Sequence, residues 1–400
     1  MPLLNSALSR FQPSPIGEIF SLCTRLKAEG RAIIDLSIGE PDFTTADHIK
    51  QAGIEAIQND ITKYTNSAGS MALREAVCDK FKRDNRLDYS PAQVLIDSGV
   101  KPLLFHALQA MLDAGDEVII PVPCWTSYIG MVLLAGAQPV FVRCPEERGF
   151  KMQGADLEQA ITAKTRLVML NSPSNPTGAA YNAAEMQGLT DVLLDHPDIW
   201  VLADDIYEHI VFGNFVTANP VQVEPALYER TITLNGVSKA YAMTGWRIGY
   251  AAGPETLMPA VLKVMSQSTG CASSIGQAAA LAALSGPQDY LRERAAVYQQ
   301  RRDFLVGRLN AIDGLRCHSP EGAFYLFPSC GELLGKTTPG GERLDDSKDL
   351  AKYLLDSAGV AVVPGSAFEY DPNFRLSYAA SMADLEQACE HIEQAVKALA

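Results

Sequence analysis

Short apolar runs alternate with amphipathic stretches through the middle of the chain. The runs predict strands at residues 94–97, 117–120, 139–142, 166–170, 200–203, 231–234 and 247–251. Helix-like stretches follow at residues 102–112, from about 127, at 156–161 and at 183–194. Because strands that alternate with helices form parallel sheets covered on both faces, this pattern predicts an α/β fold with a mostly parallel sheet.

The pattern changes from about residue 289. Long charged helices come first, then a Gly/Pro-rich loop at 336–341, short strands at 360–363 and 374–378, and a last helix from Met382. This order is typical of a smaller α+β domain. We therefore expect a large domain at 45–288 and a small domain at 289–400. Residues 1–44 can pack on either part, and we assign them to the small domain.

Charge and cysteine content narrow the function classes. The chain has 400 residues, with 33 Lys+Arg against 47 Asp+Glu, so its formal net charge is −14. This balance argues against a broad nucleic-acid or anionic-membrane surface, because both require clustered cations. The eight cysteines form no CxxC motif, and no signal peptide or membrane-spanning run is present. We expect a cytoplasmic protein with small-molecule partners.

Open α/β sheets bind ligands at the carboxyl ends of their strands, so the residues that follow the strands are informative. Gly99, Val100 and Lys101 lie between the first predicted strand and its helix, where free backbone N–H groups can bind an anion. Trp125 follows the next strand and can stack on a planar ligand. Taken alone, the glycine is an ordinary helix start and Trp125 a half-buried packing residue.

Acidic and amide side chains follow the next strands. Asn175 lies in a proline-bracketed loop, where it is either a positioned amide or a turn former. Asp204 ends an apolar strand, and a carboxylate there requires a cationic partner because its burial is costly. Tyr207 can share the pocket with Asp204. For Asp205 we prefer a role as the N-cap of a following helix.

A lysine follows the strand at 231–234. Lys239 at an apolar strand end would have a lowered pKa and a nucleophilic amine, which an imine (Schiff base) with a carbonyl cofactor requires. The Arg247 guanidinium can bind a phosphate through two parallel hydrogen bonds. An amine, a buried acid, a phosphate loop and a stacking ring together match pyridoxal 5′-phosphate. Asp204 would then pair with its pyridine nitrogen, and Tyr207 and Asn175 would bind its phenolic oxygen.

At these residues the chain resembles the fold-type I pyridoxal-phosphate aminotransferases, in particular the bacterial aspartate-aminotransferase-like branch. The resemblance runs from about residue 33 to the C-terminus. It is carried by Ile38-Gly39-Glu40-Pro41-Asp42, by Asn-Pro-Thr-Gly at 175–178, by Asp-x-x-Tyr at 204–207, by Ser-Lys…Gly-Trp-Arg at 238–247, and by further segments at 64–74, 362–368 and 375–378. It implies a large domain with a mostly parallel seven-stranded sheet and a smaller α+β domain.

The resemblance also implies the roles of the cofactor residues. Lys239 would form the imine and shuttle the proton, Asp204 would hold the pyridinium, and Trp125 would stack on the ring. Tyr207 and Asn175 would bind the ring oxygen, so the catalytic residues are Lys239, Asp204 and Tyr207. The residues expected around the phosphate are Gly99, Val100, Lys101, Ser238 and Arg247.

Substrate and subunit contacts follow from the same resemblance. Arg375 would clamp the α-carboxylate, helped by Asn175 and the backbone of Gly39, with Trp125 adjacent. In this branch a lysine at the position of Lys101 is associated with the distal carboxylate of a dicarboxylic substrate. Tyr64 would reach the phosphate of the neighbouring subunit, which implies a homodimer with shared active sites.

Several residues depart from the family pattern. Gly236 replaces a common hydroxyl residue near the phosphate, and Cys124, Ile129, Cys271 and Glu369 also differ from the residues common there. These departures leave the amino acid used open. Transamination between aspartate and a 2-oxo acid such as 2-oxoglutarate is the leading hypothesis. The alternatives are an aromatic amino acid or prephenate aminotransferase, a β-eliminating C–S lyase, and a non-catalytic regulator domain, which the net charge disfavours.

Overall fold

The computed structural model describes residues 6–11 and 15–400. The strands are β1 (Ile34–Asp35), β2 (Val94–Asp97), β3 (Glu117–Val122), β4 (Gln138–Arg143), β5 (Thr165–Asn171), β6 (Trp200–Asp204), β7 (Thr231–Gly236), β8 (Gly249–Ala252), β9 (Tyr325–Leu326), β10 (Val360–Ala361), β11 (Val363–Pro364) and β12 (Phe374–Ser377). The helices are α1 (Pro15–Ala28), α2 (Asp47–Gln58), α3 (Met71–Lys80), α4 (Val100–Met111), α5 (Thr126–Leu134), α6 (Gly154–Ala160), α7 (Ala183–Asp195), α8 (Pro220–Val223), α9 (Met258–Ser266), α10 (Ser274–Ser285), α11 (Asp289–Asn310), α12 (Ser347–Tyr353) and α13 (Met382–Lys397).

Strands β2 to β8 form a seven-stranded sheet in the order β2-β8-β7-β6-β5-β3-β4. β8 is antiparallel to both of its neighbours, and the remaining pairs are parallel. The register places Asp204 opposite Asn171 on one side and Leu234 on the other. Carboxyl ends of parallel strands therefore meet at one edge, and the predicted mostly parallel α/β fold is confirmed.

Apolar side chains on both faces hold the sheet between helices. In β5, Leu167 and Met169 pack in the cluster formed with α4 and α9, while Val168 and Leu170 pack in the cluster that contains Leu189 of α7. Alternate residues of a strand point to opposite faces, so both faces of β5 are covered. This explains the continuous apolar run, which is typical of a strand in a parallel sheet.

A second set of strands lies in the C-terminal part of the chain. β11, β12 and β9 form an antiparallel three-stranded sheet. β1 pairs with β10 in parallel, with Ile34 opposite Val360, and the Ser377 amide donates to the Leu36 carbonyl at 2.8 Å. These bonds bring the segment after β1 to the edge of the seven-stranded sheet, where it meets the residues that follow β7.

Candidate active site

One cavity of about 370 Å³ opens at the carboxyl ends of the parallel strands. Parallel strands and their following loops bring together residues that are far apart in sequence. Eleven of the residues predicted from the sequence line this cavity: Gly39, Val100, Lys101, Trp125, Asn175, Asp204, Tyr207, Ser238, Lys239, Arg247 and Arg375.

A glycine turn and an arginine form an anion cradle at one end of the cavity. Gly99 has φ 103° and precedes α4, so the first N–H groups of that helix point out of the turn. A Cβ at Gly99 would overlap the guanidinium of Arg247, which only glycine avoids. Arg247 donates to the carbonyls of Thr244 at 2.8 Å and Ser98 at 3.1 Å. A helix N-terminus beside a fixed guanidinium suits a phosphate group.

Lys239 extends into the cavity from the loop after β7. Its Nζ donates to the Gly39 carbonyl at 2.6 Å and lies 5.8 Å from the centre of the Tyr207 ring. Burial and the nearby Arg375 lower the pKa of Lys239 to about 8, against the opposing effect of Glu40. About a tenth of the amine is therefore neutral at pH 7, far more than for an ordinary lysine, and the neutral form is the one that a nucleophile or general base requires.

Asp204 at the end of β6 is buried and held by another side chain. Its Oδ2 accepts the Tyr128 hydroxyl at 2.6 Å, and its Oδ1 accepts the Ile206 amide at 3.4 Å. Burial raises the pKa of Asp204 to about 6, and the Tyr128 hydrogen bond opposes that rise. The carboxylate is thus largely ionised at neutral pH, and it suits a cationic ring nitrogen in the cavity.

Two tyrosine hydroxyls meet on the opposite wall of the cavity. Tyr207 and Tyr325 lie 2.8 Å apart, oxygen to oxygen. Burial raises the pKa of both phenols, so both remain protonated at neutral pH. The pair can donate one hydrogen bond within itself and one to a ligand oxygen.

Arg375 is the most deeply buried cation of the cavity, with 1% of its surface exposed. It donates to Asn175 Oδ1 at 2.9 Å and to the Ser37 carbonyl, and its guanidinium lies 4.6 Å from the centre of the Tyr325 ring. Its Nε has no hydrogen-bond partner, and in the described chain no carboxylate forms an ion pair with it. A buried cation without an anion is costly, so this group is suited to bind a ligand carboxylate.

A fourth cation lies at the cavity edge. Lys101 Nζ is 4.8 Å from the centre of the Trp125 ring, and burial together with Arg247 lowers the Lys101 pKa. Trp125 is half-buried and packs edge-on against Tyr128 at 5.4 Å. Among the described residues, Lys101 has no acidic partner either, so the cavity presents two lysines and two arginines to a ligand.

The structure does not support every prediction in this region. No helix follows Asp205, so its predicted role as an N-cap is wrong: the chain turns there, and Asp205 Oδ2 accepts the Asn219 side-chain amide at 2.8 Å. Burial and the neighbouring Glu208 raise the Asp205 pKa to about 8. Tyr64 is 97% exposed and does not line the cavity of its own chain, so its expected contact with the phosphate of a neighbouring subunit stays a prediction.

Further cavity residues were not singled out from the sequence. Tyr128 and Tyr325 hold predicted residues in place through their hydroxyls, and Glu40 contacts Thr244 at the cavity mouth. Ile16 of α1 also lines the cavity. Glu40 and Thr244 lie in segments that carry the family resemblance, at 38–42 and 238–247, whereas Tyr128, Tyr325 and Ile16 do not.

The residues that depart from the family pattern lie outside the cavity lining. Cys124 is buried behind it, and Ile129 and Cys271 are half-buried. Glu369 is exposed and has φ 59°, a left-handed conformation that favours glycine. A Cβ at Gly236 would lie 3.1 Å from both Val100 Cγ2 and the Gly249 Cα, so a side chain there would press on the start of α4.

The donors around the cavity fit pyridoxal 5′-phosphate. The cradle at Gly99 and Arg247 suits its phosphate, the buried Asp204 its ring nitrogen, and the Lys239 amine its aldehyde. Trp125 provides an aromatic face beside them.

No helix within the described residues is long and apolar enough to cross a membrane.

Comparisons with known proteins agree with this site. The family description "Aminotransferase class I and II" matches residues 31–392. A probable aspartate/prephenate aminotransferase of Rhizobium leguminosarum bv. phaseoli is 52% identical over 394 residues, which cover 98% of each chain. An aspartate/prephenate aminotransferase of Cereibacter sphaeroides is 50% identical over 393 residues, also 98% of each chain.

Solved structures give the same result. The crystal structure of the aspartate aminotransferase from Rhizobium meliloti has 51% identity and a TM-score of 0.97, and it covers 100% of both chains. The aspartate aminotransferase from Thermus thermophilus with maleate has 37% identity and a TM-score of 0.92 over 99% of this chain and 100% of that one. The family resemblance is confirmed, and such enzymes in general depend on pyridoxal phosphate and act on amino acids and 2-oxo acids. This chain belongs to the class I and II aminotransferase family.

Proposed function

We propose that this chain uses pyridoxal 5′-phosphate to move the amino group of L-aspartate to a 2-oxo acid such as 2-oxoglutarate, in two half-reactions of ping-pong type. One observation carries the proposal: the Lys239 amine, with its lowered pKa, shares a cavity with the buried guanidinium of Arg375, which has no acidic partner among the described residues. A base and an anion clamp side by side suit proton removal from Cα of a bound amino acid.

The residues that would hold the cofactor are those of the sequence prediction. When bound, pyridoxal phosphate supplies an aldehyde that reacts with amines and a ring that draws electrons away from Cα. Asp204 would keep its ring nitrogen protonated, and Tyr207 with Asn175 would donate to its ring oxygen. The cradle residues for its phosphate are Gly99, Val100, Ser238 and Arg247, and Lys101 lies next to them in the same loop.

Arg375 would fix the substrate by its α-carboxylate. The bond from Arg375 to Asn175 Oδ1 leaves the Asn175 amino group free to donate to the same ligand. In the structure the Lys239 Nζ donates to the Gly39 carbonyl, which places the amine in the cavity close to Arg375. With pyridoxal phosphate and an amino acid bound, the Lys239 amine would be the base that removes the proton from the substrate Cα.

Lys101 supports a dicarboxylic substrate. Its amine lies above the Trp125 ring at the cavity edge. No acidic side chain of the described residues pairs with it, and the side-chain carboxylate of a bound aspartate would supply the missing anion. A solved relative of 37% identity is titled as holding maleate, which is a dicarboxylate. Prephenate also carries a second carboxylate, and several relatives are named for it, so a prephenate aminotransferase is the second candidate.

We also propose a cytoplasmic homodimer with shared active sites. Tyr64 is 97% exposed, and four further exposed apolar side chains lie on or near α2 and α3: Ile54, Ile57, Ile61 and Met71. A second copy would cover this surface, and its Tyr64 would reach the phosphate. All eight cysteines are free thiols, which suits a reducing compartment. The pairing of β1 with β10 supports assigning residues 1–44 and 289–400 to a small domain and 45–288 to a large one.

Two experiments test the proposal. Borohydride reduction of the purified protein with pyridoxal phosphate, followed by peptide mapping, should place the label on Lys239. Half-reactions followed by cofactor absorbance should then convert with aspartate and with glutamate. If the cofactor is converted by neither aspartate nor glutamate, aspartate is excluded as the leading substrate. A label on a residue other than Lys239 would refute the proposed mechanism.

A β-eliminating C–S lyase on the same fold would begin with the same proton removal by Lys239. It differs in its product, because elimination releases pyruvate from a cysteine-like substrate without an added 2-oxo acid. Pyruvate release under those conditions, with no transfer to 2-oxoglutarate, would favour the lyase. A protein that binds the cofactor but shows neither transamination nor elimination would favour the non-catalytic regulator.

A further inference from the structure

Tyr128 contacts two of the residues expected to bind the cofactor ring. It lies in the first turn of α5, three residues after Trp125, and its side chain is buried. Its ring packs edge-on against Trp125, with centroids 5.4 Å apart and planes at 87°. Its hydroxyl donates to Asp204 Oδ2 at 2.6 Å. One side chain therefore touches both the stacking face and the carboxylate.

The two oxygens of Asp204 have unequal partners. Oδ2 accepts the short bond from Tyr128, while Oδ1 accepts only a 3.4 Å bond from the Ile206 amide. A charge-assisted O–H···O bond of this length is among the stronger hydrogen bonds in proteins. It fixes the rotation of the carboxylate, because turning the group would break it. The less occupied oxygen then remains available to a ligand in the cavity.

We propose that Tyr128 is a positioning residue for the ring nitrogen of the cofactor. Its hydroxyl holds Asp204 in one orientation and keeps it a carboxylate, so that the ring nitrogen meets a negative charge. This inference rests on the proposed function, since it concerns the same cofactor. It assigns Tyr128 no direct contact with the reacting atoms.

The charges around Asp204 support this role. Burial raises the pKa of Asp204 to about 6, and the Tyr128 bond and Lys239 oppose the rise. The other titratable groups close to it are Tyr207 and Asp205, which have raised pKa values of their own. Burial and Asp204 raise the Tyr128 pKa well above 10, so its hydroxyl stays a donor. Without that hydroxyl the Asp204 pKa would move further towards neutral pH, and the neutral acid cannot pair with a protonated ring.

The test compares two cofactors on the apoprotein. The variant is Tyr128→Phe, which keeps the ring against Trp125 and removes only the hydroxyl. The probes are pyridoxal 5′-phosphate and 1-deazapyridoxal 5′-phosphate, in which carbon replaces the ring nitrogen, and binding is measured by equilibrium dialysis at pH 7. We expect the variant to bind pyridoxal phosphate about tenfold more weakly, because one hydrogen bond is lost. We expect it to bind the deaza analogue as tightly as the parent does.

A matched control is Tyr353→Phe, which removes a hydroxyl that donates to the Ala395 carbonyl at 2.9 Å, outside the cavity lining. It should bind both probes like the parent. In an Asp204→Asn background, adding Tyr128→Phe should change neither affinity, because the group it acts through is gone. The pH below which pyridoxal phosphate binding weakens should rise in Tyr128→Phe.

The outcomes separate the two proposals. Equal affinity of the parent and Tyr128→Phe for pyridoxal phosphate, or an equal loss for both probes, would overturn the positioning role and leave the proposed function intact. If the parent binds neither probe, both proposals fail. Circular dichroism and thermal unfolding show whether Tyr128→Phe is folded, and Tyr128→Leu, which has no donor and is smaller than tyrosine, is the second variant should the first unfold.

Discussion

Arg375→Lys tests the substrate clamp most directly, because it keeps the positive charge and changes only its geometry. The guanidinium has five donors in a rigid fork and bonds to Asn175 and Ser37 while it lies over the Tyr325 ring. An ammonium on a flexible stem cannot make both bonds and also bind a carboxylate bidentately. One charge-assisted hydrogen bond contributes about 1.5–3 kcal/mol. At about 1.4 kcal/mol per factor of ten, its loss raises KM roughly ten- to a hundredfold.

The assay separates binding from chemistry. Single-turnover conversion of the bound cofactor, followed by absorbance over a range of aspartate concentrations, gives the half-saturation and the limiting rate. We expect the half-saturation to rise by this factor with a smaller change in the limiting rate, because the α-carboxylate is held in both the ground state and the transition state. Alanine should show the same rise, since it shares only that carboxylate.

A surface exchange provides the control. Arg316 is exposed and bonds to Glu146 at 2.9 Å, so Arg316→Lys should leave both constants unchanged. Thermal unfolding of Arg375→Lys must accompany the kinetics, because a buried ammonium with fewer partners also destabilises the fold. A folded Arg375→Lys protein with unchanged half-saturation for aspartate and alanine would refute the clamp.

Four further outcomes are expected. Lys239→Ala should fold normally by circular dichroism yet lose roughly 10²–10⁴-fold or more in turnover, since the other lysine of the cavity, Lys101, lies at its edge beside Trp125; near-parental turnover would contradict this. The Lys239 amine becomes neutral as the pH rises through about 8, so the rate of cofactor uptake by the apoprotein should rise there. Glu40→Gln should move the midpoint of that rise to lower pH, because a negative charge that favours the ammonium is lost. A midpoint that stays or moves to higher pH would count against the role of Glu40. Lys101→Gln should raise KM for aspartate about tenfold and leave alanine unchanged, whereas a parallel change for both would exclude a distal-carboxylate role. Glu369→Gly should stabilise the protein by about 0.5–1 kcal/mol in urea unfolding because φ is 59°, while the same exchange at Glu386 in α13 should destabilise it by about 1 kcal/mol; equal signs would refute the backbone argument.

The large sheet was predictable because its strands are buried on both faces. A run such as Val94–Asp97 has every residue buried, and such runs stand out from amphipathic helices in the sequence. The two-residue strands of the C-terminal part are too short to show a period. The single strand predicted at 360–363 is divided into β10 and β11, and β9 was not predicted. The strand predicted at 247–251 begins at Gly249, because Arg247 has φ 57° and is not extended.

The candidate site was predictable where a strand end fixes a residue. Asp204 and Lys239 follow strands directly, so the sheet alone brings them to one edge. Tyr128 and Tyr325 contact their partners across 76 and 118 positions of sequence, from a helix face and from the C-terminal part. An aromatic residue at such positions looks like any core residue. The N-cap expected at Asp205 was wrong because an aspartate after a strand precedes a tight turn as readily as a helix.

The pairing of β1 with β10 also bears on the order of events during synthesis. β1 can pair only after β10 has been synthesised, more than 300 residues later in the chain. The carbonyls of Ser37 and Gly39, which accept hydrogen bonds from Arg375 and Lys239, lie just beyond β1. Loop closure over so long a stretch is slow, so the seven-stranded sheet can form on the ribosome before the Lys239 amine has its acceptor. A nascent chain that ends before β10 would therefore lack the strand that β1 pairs with, and it would also lack Arg375.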